Sequence, residues 1–173
     1  QDVNTPFIKP NTTYTASGYI KTKNIQEVSG QTSGGAAILV YIKAASLPTN
    51  EDPEAADFVS EYVVGTTDET VNDGWRRVSI TFTTPSDVSY VRFNGTIRGA
   101  TGTAYFDGLQ LEEGETANPY NMVENASFEN VTNGNPDSWT KVNLTSTDVT
   151  NTDIKKFGNH SFMITPSATT EKE

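Results

Sequence analysis

Asp73-Gly74-Trp75-Arg76-Arg77-Val78-Ser79-Ile80-Thr81-Phe82 is the stretch that decides the fold. Asp-Gly supplies residues that tolerate positive φ, so it marks a turn. Beyond it Val78, Ile80 and Phe82 recur at every second position, with polar residues between them. That period of two belongs to a strand with one buried face. Thr84-Pro85-Ser86-Asp87 ends the strand, and Val88–Ile97 follows with Val91, Phe93 and Ile97 set against Tyr90, Arg92, Asn94 and Thr96.

The same pattern extends in both directions. Tyr14–Thr22 places Ala16, Gly18 and Ile20 opposite Thr15, Ser17, Tyr19 and Lys21. Gly34-Gly35 precedes Ala36–Lys43, where Ile38, Val40 and Ile42 alternate with Leu39, Tyr41 and Lys43. Phe58–Val64 is a shorter strand, and Thr103–Glu112 closes the series. Asp52–Asp57 reads either as a short helix, with Asp52 as cap and Pro53 at its first position, or as an acidic loop. Strands of this length and spacing predict two packed antiparallel sheets. After Gly114 the texture changes. Residues 115–121 read as a polar linker, and 122–173 carry only short strands over Met122–Glu129, Ser138–Leu144 and His160–Thr165.

Composition narrows the chemistry. The 173 residues carry 22 acidic against 12 basic side chains, a formal net charge of −10. Such a chain repels phosphate backbones, so the expected partners include neither nucleic acid nor membrane. There is no cysteine and one histidine, which argues against zinc and against thiol chemistry. His160 stands alone, no glycine-rich phosphate loop is present, and no carboxylate pair is marked by context. The expectation is a protein that is not an enzyme. Gln1 at the start and the lack of a leader pattern read as a piece of a longer protein.

Several stretches together resemble jelly-roll carbohydrate-binding modules of secreted glycoside hydrolases and wall-associated RHS/YD-repeat proteins. They are Lys9–Thr22, Asp73–Phe82, Thr103–Gly114, Met122–Glu129, Pro136-Asp137-Ser138-Trp139 and Phe157-Gly158-Asn159-His160-Ser161. In that family the stretch resembling Met122–Glu129 opens a module and the one resembling Thr103–Gly114 closes it. Here the order is reversed. The resemblance therefore implies a jelly-roll β-sandwich whose main body, residues 1–114, lacks its first strands. Residues 122–173 would complete a sandwich, in their own chain or by strand exchange with another copy.

The resemblance also implies function. Asp107 and Glu129 would share a structural calcium ion with the loop near Asn159, since calcium takes hard oxygen ligands. Taken alone, the two are ordinary carboxylates at strand ends. By alternation Tyr19, Tyr41, Lys43, Tyr90, Arg92 and Asn94 lie on strand faces opposite the core, and they read either as plain solvent-facing residues or as a mix of aromatic rings and hydrogen-bonding groups for a polysaccharide or cell-wall glycan. Trp75 and Trp139 read as core packing. The implied protein is a secreted or wall-associated bacterial carbohydrate-binding module. The alternative is a structural or assembly repeat of a large cell-surface protein that binds no sugar.

Overall fold

The structure, a computed structural model, describes residues 1–30, 34–46, 57–116 and 121–166. The strands are β1 (Asp2–Asn4), β2 (Thr13–Glu27), β3 (Gly35–Ala44), β4 (Asp57–Val63), β5 (Arg76–Thr83), β6 (Val88–Arg98) and β7 (Ala100–Glu113). Four short ones follow: β8 (Val131–Thr132), β9 (Asn135–Pro136), β10 (Val149–Asn151) and β11 (Ser161–Ile164). There is no α-helix among the described residues, and a single 3-10 turn at Asn72–Gly74 opens β5 with Asp73 at φ 55°. Residues 52–56, read as helix or loop, lie outside the described residues.

The chain is all-β, as its alternation predicts. One sheet has the order β1-β6-β3-β4 and the other β10-β11-β7-β2-β5. Every pairing is antiparallel. Ala16, Ile20, Val78 and Phe106 of the five-stranded sheet join Ile38, Val40, Phe93 and Ile97 of the four-stranded sheet in one apolar core. The sheets approach most closely where side chains are missing. A Cβ on Gly18 would stand 2.4 Å from Leu109 Cδ2 and 2.8 Å from Ile38 Cδ1. Gly95 of β6 faces the Phe106 ring in the same way.

Residues 121–166 lie along the edge of β7 away from β2. Met122 N–H donates to Leu111 O and Leu109 N–H to Ala126 O, both at 3.0 Å. Farther along the same edge β11 pairs Phe162 with Phe106. Val123, Phe128, Phe162 and Ile164 enter the common core. Two stretches expected as strands are not strands. Met122–Glu129 curls, because Asn125 and Phe128 take φ of 47° and 59°. The Asn125 side chain fixes that curl by donating to Asn130 O and Asp137 O at 2.8 Å each and accepting from Asn130 N–H. Ser138–Leu144 is broken by Ser138 and Asn143, at φ 68° and 55°.

Candidate functional site

The β2–β7 ladder slips between Ser17↔Gln110 and Tyr19↔Asp107. Gly108, at φ 56°, forms the bulge. The bulge turns the fully buried Asp107 toward residues 155–160. Its Oδ2 accepts from Lys156 N–H at 2.8 Å and Phe157 N–H at 2.7 Å, and its Oδ1 from Gly108 N–H at 2.7 Å. Glu129 holds the other end of the same loop. Its Oε1 accepts from Asn159 N–H and His160 N–H, both at 2.9 Å, and its Oε2 from the Asn159 side-chain amide at 3.2 Å. Gly158 passes so close that a Cβ there would overlap the Glu129 carboxylate.

The two carboxyls sit in different fields. Burial pushes Asp107 above its ordinary value of 3.8, and the Glu129 charge adds to this, while the three amides pull the other way. Burial would also raise Glu129, but the amides of His160 and Asn159, the Asn159 side chain and the charge of His160 together hold it below 4.5. Asp107, Glu129 and Asn159, the expected calcium ligands, are thus brought to one loop. As arranged, all four carboxylate oxygens meet N–H donors. A cation needs oxygen ligands instead. No group of three or more histidines, aspartates or glutamates that could hold a metal occurs among the described residues.

The expected glycan face is not one open surface. Tyr19 belongs to the five-stranded sheet; Tyr41, Lys43, Tyr90, Arg92 and Asn94 belong to the other. Tyr41, Lys43 and Asn94 are buried, at 1%, 8% and 6% exposure, which removes them from a flat binding platform. Arg98 donates to Tyr41 Oη at 3.2 Å. Arg92 makes a two-pronged pair with Asp2, at 2.7 and 3.1 Å, and lies over Tyr90. Arg92 and Asn94 also line a cleft of about 480 Å³ together with Trp139 and Lys141. Trp139 packs on Phe128 at 5.2 Å and donates its indole N–H to Asn125 O, and Trp75 is buried.

A second cluster was not legible as such in the sequence. Arg77 of β5 lies 5.2 Å over the Tyr19 ring. Lys156 Nζ stands 5.6 Å from the same ring and 5.9 Å from that of Phe157. Tyr19 and Phe157 meet edge to face at 5.3 Å. Arg77 donates to Ser17 Oγ and Gln110 Oε1, and Lys156 to Asn72 Oδ1. All these acceptors are neutral, so both cations keep their charge unopposed by an ion pair among the described residues. Phe157 remains 47% exposed. The members come from three separate parts of the chain. The local signals are two dibasic runs, Arg76-Arg77 and Lys155-Lys156, in an otherwise acidic composition.

No family model matches the chain. Similar curated proteins include the tRNA(Glu)-specific nuclease WapA of Bacillus subtilis subsp. natto, 33% identical over 131 residues, or 72% of this chain. The tRNA nuclease WapA of Bacillus subtilis is 32% identical over 132 residues, again 72% of this chain. The tRNA3(Ser)-specific nuclease WapA of Bacillus spizizenii is 31% identical over 128 residues, 70% of this chain. The chain spans about 5% of the length of each relative.

These relatives correct the functional expectation. They are named as enzymes acting on tRNA, not as carbohydrate-binding modules or cell-surface repeats. The expectations of no enzyme, no nucleic acid and a glycan partner are overturned with it. The physical error lay in treating the −10 net charge as a property of every surface. Net charge sets long-range repulsion, but it does not describe a local cluster such as Arg77 and Lys156.

Proposed function

We propose that the chain is a folded module of a large nuclease that acts on tRNA. The observation that supports this is the identity of 31–33% across some 130 residues with three proteins named as tRNA nucleases. The 5% share makes the module one part of such a protein. The test is cleavage of total tRNA by the whole parent protein, with the 173-residue chain assayed beside it to locate the chemistry. A parent protein that leaves all tRNA intact sets the proposal aside.

The architecture of the module is part of this reading. The strand orders β11-β7-β2-β5 and β1-β6-β3-β4 support reading the main strands, taken in the order β11, β1, β2 and on to β7, as a jelly roll. In this reading residues 1–114 are the body, 115–121 the linker, and 122–173 the piece that completes it. Export from the cell belongs to the same proposal. The structural calcium ion is a separate reading. It requires the loop at 156–160 to turn its amides away from Asp107 and Glu129 and its carbonyl oxygens inward. Ligand binding at a hundredfold excess over Kd stabilises by ~2.7 kcal/mol. A melting temperature that ignores both chelator and added calcium rules this reading out.

A further inference from the structure

We propose that Phe157, Tyr19, Lys156 and Arg77 form a contact for unpaired nucleotides of tRNA. The inference rests on the tRNA-nuclease reading and names the surface of this module that would meet the substrate. Three observations combine. Phe157 exposes about half its surface, at 47%; among the described residues Phe7 is more exposed still, but no cation is placed over its ring. Lys156 stands within 6 Å of both rings and Arg77 within 6 Å of Tyr19, and neither pairs with a carboxylate among the described residues. The cluster is held in place from below. Asp107 grips the Lys156 and Phe157 amides, and Gly108 leaves room for the Phe157 ring, which would stand 3.1 Å from a Cβ there.

Those are the elements that single-stranded nucleic acid uses: an open aromatic face for a base and adjacent cations for the phosphates on either side. Duplex RNA offers no unstacked base for such a ring to meet. The contact is therefore selective for loops and ends. The net charge of −10 works against it at long range, so the affinity is weak, and two phosphate contacts on a single strand make it fall with salt at a slope of only about −1.4.

The experiment measures binding of fluorescent total tRNA and of a blunt RNA duplex to the 173-residue chain, at several salt concentrations. The chain is expected to bind tRNA in preference to duplex. Phe157→Ala weakens tRNA binding ~10-fold while leaving the salt slope unchanged. Arg77→Gln with Lys156→Gln lowers the slope of log affinity against log salt by about 1.4, two phosphates' worth on a single strand. Phe157→Leu keeps the apolar volume and loses only the ring, so its melting temperature separates lost stacking from lost packing. Equal binding by all variants overturns the proposal, as does equal binding of duplex or no binding of tRNA. The two readings fail separately. If the parent protein cleaves tRNA and this chain binds none, only the contact is wrong. If the chain binds tRNA through these residues and the parent cleaves none, the nuclease reading is wrong.

Discussion

Residues 1–116 and 121–166 fold by different means. In the first region long strands satisfy their own main chain: β2 runs fifteen residues and pairs with β5 on one side and β7 on the other. In the second the strands are two to four residues long, and side chains take over the work of the ladder. Asn121 bridges Leu109 O, Leu111 N–H and Val123 N–H. Asn125, Glu129 and the fully buried Asp148 each hold two or more main-chain groups. A ladder spreads its stability over many interchangeable bonds. A carboxylate grip concentrates it in one residue, whose loss strands several N–H groups at once.

The sharpest way to break the comparison is to remove the second region. Deleting residues 119–173 uncovers the β7 edge and takes Val123, Phe128, Phe162 and Ile164 out of the core. An open edge beside an apolar face is an aggregation template. The expected outcome is an insoluble or unfolded remainder, checked by soluble yield and thermal melting. A soluble monomer of residues 1–118 that melts cooperatively would show that the body needs no completion.

Single grips come next. Asp107→Ala leaves the amides of Lys156, Phe157 and Gly108 without their acceptor and is expected to destabilise by about 2–4 kcal/mol. For a chain of this size that lowers the melting temperature by roughly 5–15 °C. Thr81→Ala, which removes an exposed hydroxyl 3.5 Å from Thr15 on the ladder, should change stability by no more than about 0.5 kcal/mol. Equal losses from the two substitutions would erase the contrast between grip and ladder.

The body has its own sensitive point, where the sheets nearly touch. Gly18→Ala drives a methyl group into Leu109 and Ile38, both fully buried. Overpacking of this kind costs about 1–3 kcal/mol. The measurement is denaturant unfolding. A neutral result would mean that the Leu109 side chain yields freely, and that the core there is looser than its burial indicates.

The sequence made the body legible because alternation is a direct record of which face is buried. Ile38, Val40, Ile42, Val78 and Phe82 stand in the core where their period puts them. The pairing of Asp107 and Glu129 with the Phe157–Ser161 loop was legible through the family resemblance, though the amide grips were not. The second region's path was not legible, since side-chain bonds such as those of Asn121 and Asn125 leave no period in the residues around them. Gly108 within the Tyr105-Phe106-Asp107-Gly108-Leu109 run was the available clue to the bulge, because a lone glycine inside a strand pattern signals one. The burial of Tyr41, Lys43 and Asn94 defeated the face assignment for another reason: alternation says which side of a strand is opposite the core, not whether that side is itself covered.

The smallest expected effect, and the finest test of the two grips, is their opposite response to acid. Glu129 has a folded value below its unfolded one, so the folded state binds fewer protons there. Its contribution is fully present above about pH 4.5 and is lost as pH falls through the folded value. Asp107 has a folded value raised above 3.8, chiefly by burial. Its ionisation is harder in the folded state, so that contribution is present at low pH and lost as pH rises through the folded value. In the wild-type chain the two act in opposite directions. Substitution separates them. The deficit of Glu129→Gln relative to wild type should be largest at pH 7 and shrink on acidification below 4.5. The deficit of Asp107→Asn should instead widen as pH falls toward 3.8. Melting temperatures of the three proteins between pH 7 and pH 3.5 check both slopes. Parallel profiles would mean that the carboxylates share one environment, and that the buried and the half-exposed end of the loop are not held differently after all.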